Sequence, residues 1–146
     1  HTYAANPLSC AVGEAVVSEL IENDLMNNAT EMGKYLEARL KELADASQII
    51  GDIRGKGLLL AAELVANKET KEMLPIKCRG VYRLVEIGIE NGLLLYTRKT
   101  SDGAFGEWVM ITPALTINRS EVDELIDLLQ ITFLQFEKEL QFQRYI

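Results

Sequence analysis

Behind Asn6-Pro7 the chain runs from Leu8 to Ile21 with almost no polar face: Leu8, Ala11, Val12, Ala15, Val16, Val17, Leu20 and Ile21 point all round a helix. Asn6 is a capping residue that can accept from the free amides of the first turn. Pro7, at the first helical position, loses no hydrogen bond there. A helix that is apolar on nearly every side must be buried on most of them. The chain has 146 residues, enough for one domain. The cover for this helix is therefore expected from another domain or subunit.

The rest alternates in a readable way. Asp24 is expected to cap a second helix, whose apolar residues Leu25, Ala29, Met32, Leu36, Leu40 and Leu43 form one stripe at spacings of three and four. On its wet face, Glu37 and Lys41 make a favourable i,i+4 pair. From Ile49 to Leu64 the pattern becomes strand, glycine turn, strand, with the turn at Arg54-Gly55-Lys56-Gly57. Leu74-Pro75 marks a loop. Gly80 to Asn91 reads as a helix with Val81, Leu84, Val85 and Ile89 inward, closed by Asn91-Gly92. Strands are expected over Leu93–Arg98 and Trp108–Ile111. Ser120 and Asp123 suggest a capping box for a last helix that turns Val122, Leu125, Ile126, Leu129, Phe133 and Phe136 to one side. The sum is an α+β fold, an antiparallel sheet of about four strands covered by helices.

Composition removes several kinds of function. Twenty-two acidic against fifteen basic residues leave a net charge of −7, unsuited to nucleic acid or an anionic membrane surface. No apolar run approaches the ~20 residues that span a bilayer. The only histidine is His1 and the only cysteines are Cys10 and Cys78, so neither a zinc site nor a Ser-His-Asp engine is expected, and the cytosol is the default compartment. The eight lysines sit among helix charges, in loops or in the glycine turn. None lies in an apolar stretch that would desolvate it. Arg54-Gly55-Lys56-Gly57 fits neither a phosphate-binding loop nor a dinucleotide fingerprint, and is expected to be a hairpin whose Arg54 is an ion-pair partner. Arg98 ends the apolar run Leu93-Leu94-Leu95-Tyr96 and opens a loop. It is either a solvated strand-end residue or a guanidinium that holds a carboxylate over a pocket. Thr2, ahead of the Pro-started helix, offers a hydroxyl and an N–H to a phosphate, or simply orders a turn.

Four stretches in register resemble one family. His1-Thr2-Tyr3-Ala4-Ala5-Asn6-Pro7-Leu8-Ser9-Cys10-Ala11, Asp52-Ile53-Arg54-Gly55-Lys56-Gly57-Leu58-Leu59 with Glu63-Leu64, Glu90-Asn91-Gly92-Leu93-Leu94, and Thr112-Pro113-Ala114-Leu115-Thr116-Ile117 are similar to motifs of the class III (omega-type) aminotransferases. The resemblance implies a pyridoxal 5'-phosphate enzyme of fold type I. Residues 1–146 would be its C-terminal small domain with a leading helix over 1–22, and the large cofactor-binding domain would lie upstream. With that domain go the Schiff-base lysine and the groups that tune the cofactor ring. The resemblance assigns Thr2 to the cofactor phosphate of the neighbouring subunit of a homodimer. Many members carry an arginine three residues before the Pro-Pro-Leu motif to hold the substrate α-carboxylate, and here that position is Met110. Asp102-Gly103-Ala104-Phe105-Gly106-Glu107 looks instead like the omega-amino acid:pyruvate branch, and Arg98 becomes the candidate substrate-binding residue. The implied reaction moves an amino group from an amine or omega-amino acid to a keto acid, with the chain alone inactive. The competing expectation is a stand-alone α+β binding or scaffolding module.

Overall fold

The computed structural model describes residues 2, 4–100 and 106–146. The elements follow the expected order: α1 (Pro7–Glu22), α2 (Leu25–Ala46), β1 (Ile50–Lys56), β2 (Leu59–Leu64), a short 3-10 turn (Ile76–Cys78), α3 (Gly80–Glu90), β3 (Tyr96–Lys99), β4 (Glu107–Ile111) and α4 (Arg119–Phe142). The four strands form one antiparallel sheet in the order β1-β2-β4-β3. Leu60, Ala62 and Leu64 of β2 and Val109 and Ile111 of β4 are buried in one core with Leu36 and Leu40 of α2, Val81, Leu84 and Ile87 of α3, and Leu129, Phe133 and Phe136 of α4. The helices thus cover one face of the sheet, as period-2 alternation demands.

Lys56 pairs with Leu59, so the β1–β2 hairpin turns on Gly57-Leu58 alone; Arg54, Gly55 and Lys56, expected in the turn, lie in β1. Gly57 has φ +57°, the left-handed backbone that the first central residue of a type II′ turn requires. Arg54 bridges Asp52 at 2.6 Å and Glu63 of the next strand at 2.8 Å, the ion pairing expected of it. Arg83 clamps α3 to α4 through two nitrogens on Glu139, both at 2.8 Å, and this pair holds the Glu139 carboxyl below the usual range. Lys41 meets Glu37 at 2.6 Å as expected.

Four further local expectations are corrected. The capping box of α4 is Asn118 with Glu121, not Ser120 with Asp123. Asn118 Oδ1 accepts from Glu121 N at 3.1 Å and Glu121 Oε2 accepts from Asn118 N at 2.9 Å, a reach that Asp is too short to copy. Asp24 stands before α2 but does not cap it with its side chain. Its backbone is left-handed at φ 50°, and its carboxylate accepts from the Asn27 side chain. On α3, Ile87 rather than Ile89 is buried, because the covered stripe centres on Leu84, and Ile87 lies about 60° from it round the helix while Ile89 lies about 140° away. The strand expected from Leu93 starts at Tyr96: Leu93 N closes the end of α3 on Gly88 O at 2.7 Å, and Leu93 and Leu95 enter the core first.

The first helix has the cap foreseen for it, with Asn6 Oδ1 accepting from Ser9 N at 3.2 Å. None of its residues is buried. Leu8 is 74% exposed, Ile21 65%, and Val12, Val16 and Val17 are more than half exposed. These exposures leave α1 as an uncovered apolar surface of the described residues. No helix of the described residues is long and apolar enough to cross a membrane.

Candidate functional site

Strand pairing decides which side chains share the uncovered face of the sheet. Asp52 stands opposite Glu63, Glu63 opposite Trp108, and Trp108 opposite Arg98. Beside that row, Arg54 stands opposite Ala61, Ala61 opposite Met110, and Met110 opposite Tyr96. Paired residues in adjacent strands point to the same side, so these two rows form one surface. Tyr96 is half-exposed, Arg98 is exposed, and Trp108 and Met110 are partly covered. The surface is apolar at the β3–β4 side and carries the Arg54 ion pairs at the β1–β2 side.

Among the described residues, Arg98 is the one cation on the apolar side of this face. Its guanidinium carbon lies 5.0 Å from the Tyr96 ring centroid, a cation–π contact that keeps it against the sheet. Among the described residues it pairs with no carboxylate, so its fork of donors remains available to a planar anion. Arg98 and Met110 are diagonal neighbours on adjacent strands, about 7–8 Å apart. Thr2 lies at the other end of the chain, exposed, in the turn that precedes α1, and its hydroxyl has no partner among the described residues. No hydrogen bond joins Thr2 to Arg98, so the chain does not assemble the two candidates into one site of its own. Of the loop Asp102 to Glu107, residues 102–105 lie outside the described residues.

Glu107, the last residue of that loop motif, does something that local reading did not reveal. It reaches from the start of β4 to the N-terminus of α3, where its Oε2 accepts from Val81 N at 3.1 Å. Arg79 before α3 has a left-handed backbone and no side-chain cap, so the carboxylate of a distant strand takes that place. A side chain at Gly80 would collide with Glu107 Oε2, its Cβ 2.3 Å away. Burial pushes the Glu107 carboxyl up, against the Val81 amide and the charge of Lys99, which lower it. The Cys78 thiol beside it is also pushed up, first by burial. A carboxyl raised on folding favours its protonated form in the folded state. Its contribution to stability is complete at acid pH and is lost as pH rises through the folded value. Glu107→Gln keeps an oxygen for Val81 and removes the buried charge. Its melting temperature should exceed the parent's at pH 7, and the gap should close as pH falls through the ordinary glutamate value of about 4.3. A gap that widens in acid would mean that the charge, not the acceptor, secures α3.

The half-buried Lys68 directs Nζ to the carbonyls of Ala44 at 2.6 Å and Ser47 at 3.0 Å, closing the end of α2. Lys71 donates to Gly51 O at 2.8 Å. Both have structural partners, so neither lysine is set aside for a ligand. The model of the family described as aminotransferase class-III matches residues 1–133. This chain belongs to the class-III aminotransferases. It is 38% identical over 132 residues to an uncharacterized aminotransferase of Schizosaccharomyces pombe, covering 90% of this chain and 29% of that one. A transaminase structure from the marine bacterium Virgibacillus superposes with a TM-score of 0.89 at 26% identity, covering 96% of this chain and 31% of that one. An amine transaminase from an uncultivated Pseudomonas species, in a PLP-bound form, gives 0.80 at 28% identity, covering 92% and 29%. The chain therefore spans under a third of the length of these relatives. The fold is that of part of a fold type I transaminase, consistent with a C-terminal domain, and the class-III aminotransferases depend on pyridoxal phosphate.

Proposed function

We propose that residues 1–146 are the small domain of a transaminase, with 1–22 as the helix leading into it. The uncovered sheet face would form a wall over the substrate pocket. In this reading the complete enzyme is a homodimer that moves an amino group from an amine or omega-amino acid to a keto acid such as pyruvate. Pyridoxal phosphate, when bound, supplies the electron sink for that exchange. Arg98 binds the substrate carboxylate, and Thr2 donates its hydroxyl to the cofactor phosphate at the neighbouring subunit.

The observation that carries this reading is the place of Arg98. The family's frequent carboxylate anchor is replaced by Met110, and the strand pairing sets an arginine diagonally beside it on the same face. A guanidinium displaced by one strand can approach the same volume from the side. The bare α1 supports the rest, since a stand-alone module would have no use for an exposed helix of this kind.

Thr2 offers a test in the complete enzyme. Thr2→Val removes one hydrogen bond to a charged group, worth about 1.5–3 kcal/mol, and should weaken cofactor binding roughly 10- to 150-fold. Thr2→Ser should restore it. Equal cofactor affinity in all three proteins would remove Thr2 from the site.

A further inference from the structure

We propose that the groove between α2 and α4 is a binding site for a small apolar primary amine, with Glu137 as the anchor for its ammonium group. The groove holds a half-open cavity of about 160 Å³ walled by Leu43, Ala46, Phe133 and Leu134, with Ser47, Gln130 and Glu137 as its polar lining. Glu137 is only 8% exposed. One of its oxygens is fully used: Oε1 accepts from the Ser47 hydroxyl and from Gln48 N at 2.9 Å. Ser47 Oγ in turn accepts from Ile49 N and Ile50 N, both at 3.2 Å, so this half of the carboxylate organises the passage from α2 into β1.

That structural role accounts for Oε1 and leaves Oε2 without a donor among the described residues. No lysine or arginine there pairs with Glu137. Lys68, bonded to Ser47 O, spends its ammonium on backbone carbonyls. Oε2 keeps a solvent-facing edge at the groove, and a carboxylate with one oxygen open to an apolar groove can take a charge-assisted hydrogen bond from an ammonium. The walls beside it are hydrocarbon, and the volume matches a cavity that takes one benzene ring, about 150 Å³. A cation with a tail of four to six carbons satisfies both features, with its ammonium donating to Oε2 and its tail between Leu43 and Leu134. This site is independent of the aminotransferase reading and would survive its failure.

Titration calorimetry of the protein with n-butylammonium chloride, with n-butanol and sodium chloride as controls, tests the assignment. Butylammonium should saturate with a Kd of about 1 mM and bind at least tenfold more tightly than butanol. Glu137→Gln keeps an acceptor for Ser47 and Gln48 and should lose at least about tenfold in affinity for the cation alone. Gln130, on the exposed rim, gives a second variant that leaves the core untouched: Gln130→Trp should block binding by filling the mouth. Butanol binding as well as butylammonium, undiminished binding to Gln130→Trp, or no saturable binding to the parent protein would each overturn the proposal.

Discussion

A Gly33→Val variant should be strongly destabilised. Gly33 is buried on α2, and a Cβ built there falls 2.5 Å from both C and Cα of Gly57 and 2.6 Å from its carbonyl oxygen. All three are backbone atoms. Gly57 cannot retreat, because its positive φ is set by the two-residue hairpin turn that fixes the β1–β2 register. The helix would have to lift, and with it Leu36 and Leu40, which are almost completely buried. Overpacking against rigid neighbours costs about 3 kcal/mol or more, which for a domain of this size lowers the melting temperature by roughly 10 °C. Gly13 on α1 is the control: a Cβ there meets nothing within 4 Å, and Gly13→Ala should stabilise by up to about 1 kcal/mol through helix propensity. Thermal melts followed by circular dichroism give both answers. A Gly33→Val protein melting within about 2 °C of the parent would mean that α2 and the hairpin are not in contact as described.

Substitution of Arg98 in the complete enzyme should divide the two half-reactions. Arg98→Met preserves bulk on the sheet face and removes the bidentate donors. A charge-assisted pair of hydrogen bonds to a carboxylate is worth about 2–3 kcal/mol, so kcat/KM for the keto acid should fall roughly 30- to 150-fold. An amine donor without a carboxylate should keep its KM within about twofold. Arg98→Lys should recover only part of the loss, since an ammonium lacks the planar fork. The diagonal placement adds a sharper arm. Met110→Arg in the Arg98→Met background returns a guanidinium to the other strand and should restore part of the keto-acid activity. Equal losses for both substrates, with no recovery from Met110→Arg, would make Arg98 a stacking partner of Tyr96 and nothing more.

Much of the fold was legible because its punctuation is local. Asn6-Pro7, the turn glycine Gly57, and Asn91-Gly92 mark boundaries by their own backbone preferences, and the stripe on α2 is a simple period. What escaped local reading depends on distant partners. Gly33 looks like an ordinary helix glycine until Gly57 is brought against it. Glu137 and Thr132 lie on the buried side of α4, where polar residues drop out of a search for apolar periodicity. Glu107 caps a helix that ends far from it in sequence, and Arg39, one of the charges on the outer face of α2, reaches Asp123 of α4 at 3.3 Å. The candidate site divides in the same manner. Arg98 was legible from its position after an apolar run, but its relation to Met110 required the β3–β4 register, which no motif encodes.

In the proposed enzyme this chain provides one wall and one cofactor contact of an active site that other protein completes. Steady-state transamination by the 146-residue chain alone, supplied with pyridoxal phosphate, a primary amine and pyruvate, tests it most directly. The rate should not exceed that of free pyridoxal phosphate under the same conditions. Sustained turnover above that background, lost when one of the chain's own lysines is replaced, would show a complete catalytic site within these residues and contradict the account.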